Sequence, residues 1–210
     1  MDCRLDSLCR QMNGRLESQC KDTKNKSMAE KKNAISYESI MKDLKARKFA
    51  PVYVLMGDEP FYIDKICDYI AENVLQPEER DFNQTVLFGA DTTAVQVVDQ
   101  CKGYPMMAEF RVVIVKEAQN LKSLDALEKY LEKPVKSTIL VICNKNGSID
   151  RRKKFIPRAE QVGVVFESKK LYDRQLPGFI ETYLKARKAT IEPKAVQMVA
   201  DHIGADLHRL

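Results

Sequence analysis

The residues of this chain best placed to do chemistry lie in one short turn, Gly57-Asp58-Glu59, between the apolar run VYVLM and the segment PFYIDK. In a parallel α/β sheet the first strand-to-helix turn is the natural phosphate site. A helix N-terminus there aims backbone N–H groups and the positive end of a dipole at an anion. A loop of the form G-x-x-x-x-G-K-[ST] surrounds phosphates with consecutive N–H groups and a lysine. This turn has one glycine and no following Lys-Ser/Thr, and Asp58 and Glu59 put negative charge where phosphates would lie. It reads as a degenerate phosphate loop, and no nucleotide cofactor is expected. Asp58, Glu59 and Asp64 could form an acid pair or Mg²⁺ ligands. Carboxylates also belong at helix N-termini for capping alone, which is the simpler reading.

Other catalytic or metal chemistry finds little support. The six cysteines, at 3, 9, 20, 67, 101 and 143, make no CxxC pair, so zinc and thioredoxin-type readings fail on spacing. Cys101 and Cys143 sit in or beside apolar runs and read as buried, reduced thiols of a cytosolic protein. The two histidines, His202 and His208, read as surface residues and are too few for a His-built metal centre. No GxSxG is present and no cysteine lies near a candidate base. The expectation is a non-catalytic chain without a metal.

Two further stretches could bind rather than react. DRRKKFIPR puts five basic residues, among them Arg151, Arg152, Lys153 and Lys154, into nine positions. Such a run could touch DNA phosphates or a neighbouring subunit, although the residues alone favour a solvated helix face. YPMMAEFRVVIVKE places Tyr104, Pro105, Met106 and Met107 just before an apolar, β-branched run of strand length. Adjacent residues cannot share a face of a regular element, whereas a loop can present both outward. Methionine is unbranched and polarizable and adapts to a preformed apolar pocket. Gly103 and Pro105 restrict the turn, and Tyr104 is a residue type common at interface hot spots. The alternative is that both methionines tuck beneath the sheet as core.

The elements that must position these residues follow from periodicity. The 210 residues are 44% hydrophobic and 31% charged with a net charge of +5, which is globular composition that tolerates a polyanionic partner without requiring one. Residues 1–35 are polar, mixed in charge and without sustained periodicity, and are expected to be a disordered or vestigial extension. From Ser36, a plausible N-cap, Tyr37, Ile40, Met41 and Leu44 share a helical face. Strands are predicted at 52–56, 82–88, RVVIVKE, 137–144 and 163–168. Between them come a helix opened by Pro60, with Ile63, Ile66, Cys67 and Ile70 inward, one closed by Gly103, one stopped before Pro134, and a short basic helix. Five alternations of strand and helix predict a parallel α/β sheet covered on both faces. After Lys170 two amphipathic helices are predicted, and GADLHRL reads as the start of another. No window approaches a membrane span, and no apolar leader is present.

The order VYVLMGDEPFYID, then FN, then CKGYPMMAEFRVVIVKEAQNL, then LEKYLEKPVKSTILVI resembles the delta subunit family of bacterial DNA polymerase III, part of the sliding-clamp loader. The resemblance spans roughly 37–210. It implies an AAA+-like (P-loop NTPase-like) five-stranded parallel sheet without a functional P-loop over 36–170, then an incomplete helical lid over 171–210. It also implies truncation before a helical collar domain. The implied function is non-catalytic: binding the sliding clamp (the beta subunit) and opening its ring for loading onto primed DNA in replication, in the cytoplasm. The gamma/tau and delta-prime subunits would be the other partners, ATP would be bound elsewhere in the assembly, and polymerase activity would belong to the holoenzyme. Met106 and Met107, with Tyr104 and Pro105, fall where the family places its clamp-contacting hydrophobic pair, often Leu-Phe or Met-Phe. The rival expectations are a nucleotide-dependent enzyme with a divergent phosphate loop, and an α/β scaffold unrelated to replication.

Overall fold

The computed structural model describes residues 35–204 and 206–209. The expectation for 1–35 therefore falls almost wholly outside the described residues. Helix α1 (Tyr37–Lys45) starts at Ser36, whose hydroxyl accepts a hydrogen bond from the Ser39 N–H at 3.2 Å. Strand β1 (Val52–Gly57) follows, then α2 (Pro60–Asn73), a short α3 (Pro77–Asn83), β2 (Gln84–Phe88) and α4 (Ala94–Lys102). Next come β3 (Arg111–Lys116), α5 (Asp125–Tyr130), β4 (Thr138–Lys145), α6 (Phe155–Val162) and β5 (Val164–Ser168). Helices α7 (Leu176–Ala186) and α8 (Pro193–Ile203) complete the regular structure, followed by a 3-10 turn, Leu207–Arg209. Proline stands in the first turn of α2, α3, α7 and α8, where its missing N–H would have no intrahelical partner.

The five strands form one sheet in the order β2-β3-β4-β1-β5, and every neighbouring pair is parallel. Side chains alternate across it. Val54, Met56, Val113, Val115, Leu140 and Ile142 face one core with α4, α5 and α6. Tyr53, Leu55, Val112, Ile114, Val141 and Cys143 face the other with α1 and α2. Both faces are thus covered, as the near-continuous apolar runs of the central strands require. Ile63, Ile66, Cys67 and Ile70 are all buried on the inner face of α2. Cys67, Cys101 and Cys143 are buried free thiols, as expected; burial pushes the Cys101 thiol up to about 12.

Several boundaries differ from the sequence expectation. Phe82 and Asn83 were expected in the second strand but close helix α3 instead. Pro77 opens that helix, and the Glu79 carboxylate accepts from the Gln76 N–H at 2.9 Å, so a local N-terminal stop-and-start overrides the β-prone text that follows. β2 pairs on one side only, which leaves Val86 and Phe88 partly in solvent. The expected helix before Pro134 ends at Tyr130, where the phenol oxygen accepts from the Val135 N–H at 3.2 Å and fixes the turn. Arg151–Lys154 form a turn ahead of α6 rather than part of it. A third core joins Leu176, Ile180, Val196, Ala200 and Leu207 to Phe61 of α2.

Candidate functional site

The segment between α4 and β3 stands out for what it exposes. Tyr104 is 84% exposed, Met106 59% and Met107 101%, so the Met107 side chain meets almost nothing of its own chain. Of the two readings open from the sequence, burial beneath the sheet is not the one the structure adopts. Met107 has φ of +54°, the left-handed region that unbranched non-glycine residues enter seldom.

The loop is nevertheless built on fixed supports. At its entry, the Thr138 hydroxyl of β4, fully buried, donates to the Cys101 carbonyl at 2.9 Å and ties the last turn of α4 to the sheet. At its exit, the Arg111 backbone N–H donates to Ser137 O at 2.8 Å, and its guanidinium donates to Gln100 Oε1 at 2.7 Å. That guanidinium lies against Gly103, where an added Cβ would come within 3.1 Å of it. In the middle, the Asn83 side chain meets the Met106 backbone twice. The Met106 N–H donates to Asn83 Oδ1 at 2.6 Å, and Asn83 Nδ2 donates to Met106 O at 2.9 Å. Asn83 also donates to Glu79 O at 3.0 Å and is 0% exposed. Sequence reasoning quoted this asparagine but gave it no role. Its signal, a polar residue with a strand on its C-terminal side, is too common to stand out.

The Gly57-Asp58-Glu59 turn, expected as a degenerate phosphate loop, is closed from within. The Gly57 N–H donates to Gly147 O at 3.0 Å and the Asp58 N–H to Ser168 O at 3.3 Å. The Glu59 N–H donates to Ser168 Oγ at 3.3 Å, and the Phe61 N–H donates to the Glu59 carboxylate at 3.3 Å. Pro60 has no N–H, so each donor from 57 to 61 already has a protein acceptor. Gly57 has φ of +129° and lies so close to β5 that a Cβ would stand 2.0 Å from Ser168 O. Glu59 is 3% exposed, and burial raises its carboxyl above the usual range. Asp64, the third carboxylate considered, pairs with Lys145 Nζ at 2.7 Å and lies 3.7 Å from His208 Nε2. Glu59 thus caps helix α2 and Asp64 neutralises a lysine, while Asp58 is exposed. Among the described residues no group of three or more His, Cys, Asp or Glu could hold a metal ion.

The basic turn lies elsewhere and is partly neutralised. Arg151 pairs with Glu167 at 2.7 Å and Glu160 at 3.4 Å, and Arg152 with Asp150 at 3.1 Å. Arg158 pairs with Glu132 at 2.7 Å. Lys153 and Lys154 extend into solvent. No helix among the described residues is long and apolar enough to cross a membrane.

Comparisons with known proteins place the sequence and the fold. A "DNA polymerase III subunit delta" of Bacillus subtilis (strain 168) is 27% identical, over 75% of this chain and 48% of its own length. Among solved structures, the "Bacillus subtilis DNA clamp loader delta protein" superposes with a TM-score of 0.71 at 24% identity, over 82% of this chain and 54% of the other. That likeness shows the fold, a five-stranded parallel sheet covered by helices on both faces. The chain spans about half the length of these two relatives. The sequence pattern of the family described as "DNA polymerase III, delta subunit" matches residues 53–169, from Tyr53 in β1 to Lys169 just past β5. More than half of the chain, including the closed turn and the methionine loop, follows that pattern, and the chain belongs to the DNA polymerase III delta subunit family.

Proposed function

We propose that this chain is a non-catalytic clamp-loader component. It binds the ring-shaped sliding clamp through Tyr104, Pro105, Met106 and Met107, and holds one interface of the ring open for loading onto primed DNA. The observation that carries the reading is the fully exposed Met107, beside Met106 and Tyr104, on a loop anchored at its entry, middle and exit. A soluble surface gains nothing from such side chains unless a partner covers them, and an anchored loop loses little freedom when it binds. Residues 36–170 would form the clamp-binding domain and 171–210 the lid. The gamma/tau and delta-prime subunits would flank it in the cytoplasmic assembly and supply ATP binding. The spent N–H donors and two carboxylates of the Gly57–Glu59 turn support a role that does not use nucleotide at that turn. Arg151, Arg152, Lys153 and Lys154 are then a second candidate contact, to DNA or a neighbouring subunit, in which Lys153 and Lys154 carry the free charge.

The test is binding of this chain to the sliding clamp of its own organism, beside the Met106→Ala/Met107→Ala variant. The wild type should bind at micromolar strength or better, and the variant should lose about 2–5 kcal/mol, as truncating two hot-spot side chains does. Binding that ignores the substitutions moves the contact elsewhere on the molecule. A folded wild type that does not bind returns the chain to the scaffold reading, and ATP binding by the isolated chain revives the enzyme reading.

A further inference from the structure

We infer that Asn83 is the positioning residue of the methionine loop: its buried amide holds the Met106 peptide in the one backbone arrangement that displays both methionines. The inference rests on the proposed clamp contact and names what sets the affinity of that contact.

The geometry leaves little else to do the holding. Among the described residues, the only hydrogen bonds that reach residues 104–109 are the two between Asn83 and the Met106 backbone. One side chain satisfies both the N–H and the C=O of one residue, as a neighbouring β-strand would, so Met106 cannot rotate without losing both bonds. The amide has no freedom of its own. Its second Nδ2 hydrogen goes to Glu79 O within the last turn of α3, and the side chain is 0% exposed. The orientation of that turn, set in part by Pro77 and the Glu79 cap, is thereby passed to a loop 23 residues further along the chain. The next residue, Met107, sits at φ +54° with its side chain in solvent. The exposed Met107 side chain does not stabilise that conformation, so it is imposed by its neighbours: Met106, held by Asn83, on one side and Ala108, packed against the core, on the other. Without Asn83 the loop would sample several backbone states, and apparent affinity falls by the fraction of molecules still competent to bind. Neither preceding residue could do this: Tyr104 is exposed, and Pro105 lacks an N–H.

The experiment is a double-mutant cycle on clamp binding, with amide exchange of the free protein measured in parallel. Asn83→Ala is made in the wild type and in the Met106→Ala/Met107→Ala background, and thermal unfolding is followed for each. A positioning role predicts roughly tenfold or greater weakening of clamp binding in the wild type, but less than about twofold in the methionine-less background, because the two changes act through one contact. It also predicts that the Met106 amide exchanges faster while the amides of β1 and β4 keep their protection. If Asn83→Ala does not fold, Asn83→Asp takes its place. The carboxylate keeps the shape and the acceptor for the Met106 N–H but faces the Met106 and Glu79 carbonyls without a donor, so it should weaken binding at neutral pH and regain it as the introduced carboxyl is protonated. Equal losses in both backgrounds, or unchanged affinity with unchanged Met106 exchange, overturn the inference. If the methionine variant binds like the wild type while Asn83→Ala still frees the Met106 amide, the clamp contact fails as a reading and the positioning role loses its function, an outcome separate from the other two.

Discussion

At the scale of single residues, the Gly57-Asp58-Glu59 turn is a structural joint. Gly57 combines φ of +129° with a backbone approach that leaves no space for a Cβ, 2.0 Å from Ser168 O. Gly57→Ala should therefore destabilise the fold by at least about 2 kcal/mol, through strain at that φ and displacement of β5, measurable by urea unfolding. Glu59 gives a pH signature. Burial raises its folded carboxyl above its unfolded value of about 4.3. Between those two values the folded state holds more protons than the unfolded state, so stability falls as pH rises through the window and stays reduced above it. Glu59→Gln keeps an oxygen for the Phe61 N–H and removes the charge. The variant should be at least as stable as the wild type at neutral pH and should show a shallower loss of stability above about pH 4.3.

At the scale of elements, single hydrogen bonds decide where helices start and how they hold to the sheet. Ser36→Ala removes the acceptor for the Ser39 N–H at the start of α1, and should cost about 1 kcal/mol in unfolding free energy. Thr138→Val keeps the shape but strips the donor from the Cys101 carbonyl in the last turn of α4. A buried carbonyl left unpaired should cost about 1–3 kcal/mol. Because that turn leads into Gly103, the same substitution should also weaken clamp binding under the proposed function, and measuring unfolding and clamp affinity together separates the two effects.

At the scale of the whole molecule, Phe61 is the residue on which the sheet region and the C-terminal helices meet. Its ring lies edge-on to Phe179 at 6.1 Å, to Tyr183 at 6.0 Å and to His208 at 5.7 Å, and it is 4% exposed. Because it stands in the first turn of α2, immediately after the closed turn, the C-terminal helices pack beside the turn at which a parallel α/β sheet commonly binds phosphate. Phe61→Ala should cost about 3–5 kcal/mol. Amide exchange should rise more in α7 and α8 than in β1, which is held by β4 and β5 on its two sides.

Much of this organisation was legible in the chain itself. Apolar, β-branched runs of strand length alternating with helical periodicity specify a parallel sheet, since only helices on both faces can bury strands that are apolar throughout. The missing lysine and second glycine, with Asp58 and Glu59 in the turn, argued against a phosphate loop by charge and backbone freedom. The Tyr-Pro-Met-Met text left the pair open: the residues alone leaned toward core, and only the family resemblance pointed outward. What the sequence did not settle depends on groups far apart in the chain. Whether Met106 and Met107 face solvent or core was left open until Asn83, 23 residues earlier, was seen to hold the Met106 peptide from a helix that had read as strand. That the N–H donors of the phosphate turn are spent required Ser168 and Gly147 to come within hydrogen-bond distance of it. Local pattern fixes what each segment can be, through steric preference and burial. Which polar groups satisfy one another is decided only when the sheet closes and brings distant backbone within about 3 Å.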